Sequence, residues 1–274
     1  MSRPLMSAPE LAAALDGRRP PRLLDCRARL GDPDAGHTLW WEAHLPGSYH
    51  IDLERDLSGP PGQGGRHPLP SREAFTATLQ RLGITPELPV VVYDDMGGQL
   101  AAARAWWMLA CWAGHPDVRL FDGGIKAWLG AGEELSDGDR SAPPSSDWVP
   151  AYRDDPWCDA TRLQEEGVLL VDARSRERFR GEVEPIDPVA GHIPGAVCRP
   201  SGDNLTPWGR FKPPGLLASE LPEAAKVVAY CGSGVTACHT ILAYAVAGRP
   251  LPKLYPGSWS EWIRDPSRPV ATGD

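Results

Sequence analysis

The sequence lacks the features that several large classes of protein require. Its 274 residues contain no apolar run of the roughly 18–20 residues that a membrane-spanning helix needs. Basic residues are outnumbered, 28 to 36, and the net charge of −8 argues against nucleic acid or an anionic membrane as the main partner. No GxGxxG or Walker loop occurs, so no nucleotide cofactor is expected.

Cysteine is sparse and scattered. The chain has six cysteines, with no CxxC pair, at positions 26, 111, 158, 198, 231 and 238. A metal site or a disulfide framework is therefore not expected, and the composition favours a cytoplasmic protein. The first residues also lack a basic segment followed by an apolar core, so no secretion signal is expected.

One cysteine stands in a distinctive stretch, KVVAYCGSGVTACHTILAYAVAG, from Lys226 to Gly248. The β-branched and aromatic run before Cys231 predicts a buried strand, and apolar residues from Ala237 onward recur at helical spacing. Cys231 is thus expected at the carboxyl end of a strand, facing the start of a helix. A cysteine in such a place is often only a small buried hydrophobe, but the glycine-rich loop argues for a chemical role.

The loop after Cys231 has the composition of an anion-binding site. A helix amino terminus leaves backbone N–H groups unpaired, and Gly232 and Gly234 let the chain curl so that these groups point inward. This placement favours a thiolate over a thiol, because the helix dipole stabilises negative charge. The predicted binding loop comprises Gly232, Gly234, Val235 and Thr236 around the cysteine and Ser233.

The two halves of the chain follow the same plan. An Asp-x-Arg sequence after a strand, a His-x-Pro-Gly turn, a Val-Val-x-Tyr strand and a glycine-containing segment that ends in tryptophan occur in the same order in each half. Four matched features indicate an internal duplication. His44 and His192, which open the matched turns, are interpreted as turn-fixing residues that bond to the backbone.

The pattern predicts an α/β protein with two tandem domains, each a mainly parallel sheet flanked by helices. We expect the domains at residues 1–135 and 157–274, joined by a polar, proline-rich linker at 136–156. Alignment of the halves puts Asp94 where Cys231 stands. Because an aspartate cannot carry sulfur, the first domain is expected to be catalytically inactive.

The loop CGSGVTA resembles the active-site loop of rhodanese-type sulfurtransferases, in the 3-mercaptopyruvate sulfurtransferase branch. The resemblance covers both halves of the chain. It implies a rhodanese-like fold in each half and transfer of a sulfane sulfur through a Cys231 persulfide, without a metal or other cofactor. The implied partners are a small sulfur donor and an acceptor such as cyanide, a thiol or thioredoxin, and the expected state is a monomer.

The resemblance also implies roles for other residues. In this branch the loop serine is linked to a histidine and an aspartate, and the matching residues are Ser233, His67 and Asp52. The alternatives are a loop histidine beside prolines and an aspartate that caps a turn. The matching substrate arginine is Arg178, which could instead pair with Glu177 or Glu182 on its own helix.

The donor preference stays open at this level. A second substrate arginine is usual after a Glu-Pro pair in this branch, but here Glu184 and Pro185 precede Ile186 and Asp187. Arg66 or Arg180 could replace the missing charge. The uncharged Gly232 and Ser233 favour a monoanionic donor over thiosulfate. We give the uncharged loop more weight than the missing arginine, because the loop touches the reacting sulfur.

Two other functions are compatible with a cysteine on such a loop. A cysteine phosphatase needs an arginine six positions after its cysteine, where this chain has Ala237. A non-catalytic scaffold that binds a partner protein through the same fold is the second alternative, but loss of function usually removes the nucleophile, which is present. The sequence therefore favours a sulfurtransferase.

Overall fold

The computed structural model describes residues 3–139 and 141–274, without the side chain of Gln164. Arg140, which falls in the predicted linker, lies outside the described residues. The described chain forms two compact units. The first comprises the described residues up to Gly59, Pro70–Arg153 and Pro207–Phe211, and the second comprises Pro60–Leu69, Asp154–Thr206 and Lys212–Asp274. The domain limits drawn from the sequence, 1–135 and 157–274, stay predictions.

In its described residues the first unit has a five-stranded parallel sheet with the order β1-β5-β4-β2-β3. The strands are β1 (Leu5–Met6), β2 (Arg22–Asp25), β3 (Ser48–His50), β4 (Val90–Tyr93) and β5 (Val118–Phe121). The helices are α1 (Ala8–Leu15), α2 (Ala35–Glu42), α3 (Arg72–Arg81), α4 (Ala101–Trp107) and α5 (Gly124–Gly130). A π-helical turn, Met108–Trp112, continues α4. The central strand β4 is buried throughout, as expected for a continuous β-branched run in a parallel sheet.

The described residues of the second unit form a four-stranded parallel sheet with the order β7-β6-β8-β9. The strands are β6 (Val168–Asp172), β7 (Val197–Cys198), β8 (Lys226–Tyr230) and β9 (Lys253–Leu254). The helices are α6 (Arg176–Arg180), α7 (Pro214–Glu220), α8 (Ala237–Val246) and α9 (Ser258–Trp262), with 3₁₀ turns at Ala160–Gln164 and Ser201–Asn204. Trp157 forms an isolated parallel bridge with Leu254, as β1 pairs with β5 in the first unit.

The internal duplication is visible in matched buried ion pairs. Arg27 binds Asp25 at 2.6 Å in the first unit, and Arg174 binds Asp172 at 2.6 Å in the second. Each pair stands at the end of an inner strand, β2 or β6, and is almost fully buried. The Asp-x-Arg sequences therefore have a structural role, because each guanidinium compensates a carboxylate that burial would otherwise destabilise.

The matched turns are held in the same way in both units. His44 Nδ1 lies 2.7 Å from the carbonyl oxygen of Trp40, and His192 Nδ1 lies 2.7 Å from that of Phe179. Each imidazole also stacks on the ring of that same residue. These contacts confirm that the two histidines fix turns by bonding to the backbone. They also confirm two copies of one α/β plan.

Candidate active site

Cys231 follows β8 directly, and α8 begins six residues later at Ala237. This confirms the expected position between a strand end and a helix start. The cysteine is buried, with 2% of its surface exposed, and no disulfide forms among the cysteines of the described residues. Parallel sheets bind ligands beyond the carboxyl ends of their strands, which is where this side chain lies.

The start of α9 holds the cysteine loop in place. The N–H of Cys231 donates to Ser258 Oγ at 3.1 Å, and its carbonyl accepts from the N–H of Trp259 at 3.0 Å. The N–H of Ser260 donates to the carbonyl of Gly232 at 2.9 Å. Ser258 has a φ of 52°, a left-handed conformation that a serine adopts only at some cost, and it is fully buried. The strained residue therefore supplies the acceptor that fixes the backbone of the cysteine.

Gly234 is the loop position where a side chain does not fit. Its φ is +78°, and a Cβ added there would lie 2.2 Å from the carbonyl oxygen of Pro256. Because only glycine adopts this conformation freely and leaves this space empty, the sequence of the loop follows from its geometry. The residue lets the chain turn sharply between the cysteine and α8.

The corresponding loop of the first unit binds a negative group of its own. Asp94 Oδ1 accepts from the N–H of Met96 at 2.9 Å and of Gly98 at 2.8 Å. Burial raises the pKa of Asp94 to about 6, although the hydrogen bonds from the loop amides act in the opposite direction. Met96 and Gly98 stand two and four residues after Asp94, as Ser233 and Val235 stand after Cys231. A loop of this type can therefore stabilise an anion by backbone donors.

Ser233 and His67 meet within the second unit. Ser233 Oγ lies 2.7 Å from His67 Nδ1, both side chains are buried, and the direction of the hydrogen bond depends on the tautomer of the imidazole. In the first unit, Asp52 Oδ1 accepts from the N–H groups of Glu54 and Arg55, each at 2.8 Å. Asp52 thus caps a turn, and its membership in the trio stays a prediction.

Two guanidinium groups flank the loop. A Cβ added to Gly232 would lie 2.9 Å from Arg66 Nη2 and 3.5 Å from both terminal nitrogens of Arg178. The backbone N–H of Arg66 donates to Ser260 Oγ at 3.1 Å, which attaches its segment to the start of α9. Arg180 is bound instead by Asp274 at 2.6 Å. Of the two suggested replacements for the missing arginine, Arg66 is the one beside the loop.

The arginines are balanced by two carboxylates from the segment after α6. Arg178 Nη2 lies 2.7 Å from Glu184 and 3.1 Å from Asp187, whose other oxygen binds Arg66. Arg178 therefore pairs with neither Glu177 nor Glu182. Burial raises the pKa of Glu184, but hydrogen bonds from Arg178 and from backbone N–H groups lower it below its ordinary value overall. For Asp187 burial outweighs the two arginines, and its pKa is raised.

Several of these contacts are not visible in the sequence. The role of Ser258 could have been suspected from its position in a segment that is repeated in both halves, but the fixing of the loop by α9 was not predicted. The pairing of Asp187 with both arginines carries no local signal, because Arg66 is far from it along the chain. The side chain of Cys238, at the start of α8, is fully buried.

The fold and this site define a class: a tandem α/β protein whose second copy has a buried cysteine on a strand-to-helix loop, and whose first copy has an aspartate there. The protein-family model of the rhodanese-like domain matches two stretches of the sequence, residues 7–131 and 159–265. The chain therefore belongs to the rhodanese-like domain family, as the loop sequence suggested.

Comparison with known proteins gives full-length relatives. The chain is 50% identical to a probable 3-mercaptopyruvate sulfurtransferase of Pseudomonas aeruginosa, over 100% of this chain and 99% of that protein. It is 44% identical to a putative thiosulfate sulfurtransferase, SseB, of Mycobacterium tuberculosis, over 98% and 97%. Among solved structures, the 3-mercaptopyruvate sulfurtransferase of Leishmania major matches with a TM-score of 0.83 and 30% identity, over 96% of this chain and 75% of that one.

Proposed function

We propose that this protein transfers the sulfur atom of 3-mercaptopyruvate, in preference to the sulfane sulfur of thiosulfate, to a thiophilic acceptor through a persulfide on Cys231. The class is that of the sulfurtransferases of the 3-mercaptopyruvate and thiosulfate type, to which its full-length relatives belong. The observation that carries the proposal is the buried Cys231 on a loop whose counterpart in the first unit holds a carboxylate by backbone donors.

The proposed first step is nucleophilic. The Cys231 thiolate attacks the sulfur of the donor, the new S–S bond forms, and the C–S bond breaks with its electron pair going to carbon. The enolate of pyruvate leaves and takes up a proton. Ser233 and His67, hydrogen-bonded to each other at 2.7 Å, are the proposed route for that proton, with Asp52 as the predicted third member. An acceptor thiolate then attacks the outer sulfur and releases the Cys231 thiolate.

The preference for 3-mercaptopyruvate follows from charge. The loop positions after the cysteine are Gly232 and Ser233, which add no positive charge for a dianion such as thiosulfate. The guanidinium groups of Arg66 and Arg178 lie beside Gly232 and are the proposed clamp for the donor's carboxylate.

Intact-mass spectrometry tests the proposal directly. The wild-type protein, incubated with 3-mercaptopyruvate, should gain the mass of one sulfur atom and lose it on addition of cyanide or a thiol. The Cys231→Ser variant should gain nothing, whereas Cys238→Ser, which changes a buried cysteine in the next helix, should still gain it. If neither 3-mercaptopyruvate nor thiosulfate gives an adduct, the result would support a non-catalytic scaffold instead.

Variants of the arginines test the clamp. Arg66→Ala and Arg178→Ala should each raise the KM for 3-mercaptopyruvate by about tenfold or more, because a hydrogen bond to a charged group is lost. Arg180→Ala is the matched control, since Arg180 binds Asp274 at the surface. Unchanged donor KM in Arg66→Ala and Arg178→Ala would remove both residues from the site.

We further propose a cytoplasmic monomer that uses cyanide, a low-molecular-weight thiol or thioredoxin as acceptor, without nucleic-acid or membrane partners. The six cysteines, none of which forms a disulfide in the described part of the chain, support a reducing compartment. Within the described residues, no helix is long and apolar enough to cross a membrane.

A further inference from the structure

The carboxylate of Asp187 occupies the place between the two guanidinium groups of the site. One of its oxygens binds Arg66 Nη1, and the other lies 3.1 Å from Arg178 Nη2. Only 3% of the Asp187 side chain is exposed, against 28% for Arg66 and 17% for Arg178. The acid is thus buried against arginines that themselves still reach solvent beside Gly232.

Asp187 and the neighbouring Glu184 differ in the groups that their carboxylates bind. Glu184 also lies 3.4 Å from Arg174 and accepts hydrogen bonds from the N–H groups of Ile186 and Asp187, so it organises its own segment. The ion pairs of Asp187 go to the two arginines beside the loop. Removal of the Asp187 charge would therefore change the charge that a donor meets beside Gly232, whereas removal of the Glu184 charge would also affect the backbone of its own segment.

The charges in this cluster cancel. Arg66 and Arg178 carry two positive charges, and Glu184 and Asp187 carry two negative charges at distances of ion pairs. Coulomb energy scales with the product of the charges, so a negative group here opposes a dianion twice as strongly as a monoanion at the same place. If this repulsion weakens the binding of a monoanion by a given factor, it weakens the binding of a dianion at the same place by the square of that factor.

We propose that Asp187 is a specificity-determining residue that discriminates against doubly charged sulfur donors by neutralising the arginine pair beside the cysteine loop. This inference rests on the proposed function, because it concerns the choice of donor at the same site. It also accounts for the acidic residue that stands after the Glu-Pro pair, where the resemblance led us to expect an arginine.

The experiment compares two donors in three variants. In Asp187→Asn, kcat/KM for thiosulfate should rise more than kcat/KM for 3-mercaptopyruvate, so that the thiosulfate-to-mercaptopyruvate ratio increases by about tenfold. Asp187→Glu keeps the charge and should keep the wild-type ratio. Glu182→Gln removes an equal charge from an exposed position on the same segment and should also leave the ratio unchanged. A wild-type ratio in Asp187→Asn would overturn the proposal.

A second measurement does not depend on sulfur transfer. Iodoacetate carries one negative charge and iodoacetamide none, and mass mapping can follow the alkylation of Cys231 by each. The rate ratio of iodoacetate to iodoacetamide should rise in Asp187→Asn and stay at the wild-type value in Glu182→Gln. An unchanged ratio in both variants would contradict the electrostatic role.

The two proposals can fail separately. If the wild-type protein forms no persulfide with either donor, the proposed function fails. If the persulfide forms but neither the donor ratio nor the alkylation ratio responds to Asp187→Asn, the inference about Asp187 alone is wrong.

Discussion

Substitution of Gly234 by alanine tests whether the shape of the cysteine loop carries the activity. Gly234 has a φ of +78°, and the new Cβ would stand 2.2 Å from the carbonyl oxygen of Pro256. Gly248, just after the other end of α8, has a φ of +69° but nothing within 4 Å of its added Cβ. Gly248→Ala is therefore a matched control that has the backbone penalty without the collision.

The expected magnitudes follow from these distances. A left-handed conformation costs a residue with a Cβ roughly 1–2 kcal/mol, which both variants should lose from the free energy of unfolding. A carbon and an oxygen normally approach to about 3.4 Å, so Gly234→Ala must also shift the loop or Pro256 by about 1 Å. A displacement of that size in a site can reduce the rate about a hundredfold.

The assay combines urea denaturation with steady-state turnover of 3-mercaptopyruvate. We expect both variants to be destabilised, Gly234→Ala at least as much as Gly248→Ala. Only Gly234→Ala should lose kcat/KM, by about a hundredfold. Wild-type kcat/KM in Gly234→Ala would refute the reasoning, because the loop would then function after a forced movement.

Three further predictions concern single contacts. Burial raises the pKa of Asp94 from 3.8 to about 6, so the folded protein loses stability as the pH rises through that interval and the carboxyl group ionises. The Asp94→Asn variant lacks this loss, so its free energy of unfolding should increase by about 3 kcal/mol relative to wild type between pH 3 and pH 7. A difference that does not depend on pH would contradict this. Because Ser233 and His67 share one hydrogen bond, the double variant Ser233→Ala/His67→Gln should lose less kcat than the product of the losses in the two single variants. A loss equal to that product would argue against a joint role. Ser258→Ala leaves the buried N–H of Cys231 without its acceptor and should cost about 1–3 kcal/mol in urea denaturation, whereas unchanged stability would show that another group replaces the hydroxyl.

The parts of the fold that depend on local pattern could be predicted from the sequence. The strand before Cys231 and the helix from Ala237 were found at their predicted places, because apolar periodicity and glycine punctuation are local signals. The duplication was also readable, since each copy repeats the same buried Asp-Arg pair. In contrast, the change from α helix at Ala101–Trp107 to π helix at Met108–Trp112 has no local signal in the sequence.

The electrostatics of the site could not be predicted in the same way. The role of Arg178 as the substrate arginine stays a prediction, and the alternative pairing with Glu177 or Glu182 does not form, because the segment after the helix presents Glu184 and Asp187 to it. The approach of Arg66 to the loop depends on tertiary structure, as does the pairing of Asp187 with both arginines. No spacing in the sequence encodes contacts between residues so far apart along the chain.

The segment Pro60–Leu69 comes from the first half of the sequence but belongs to the second compact unit. A fragment that starts at residue 157 would contain the cysteine but would lack His67, Arg66 and the ten-residue strap on which they stand. Expression of the second half alone would therefore remove the Ser233–His67 hydrogen bond and the Arg66 guanidinium beside Gly232. Although the sequence is an internal repeat, the boundaries of the compact units do not follow the boundary between its two halves.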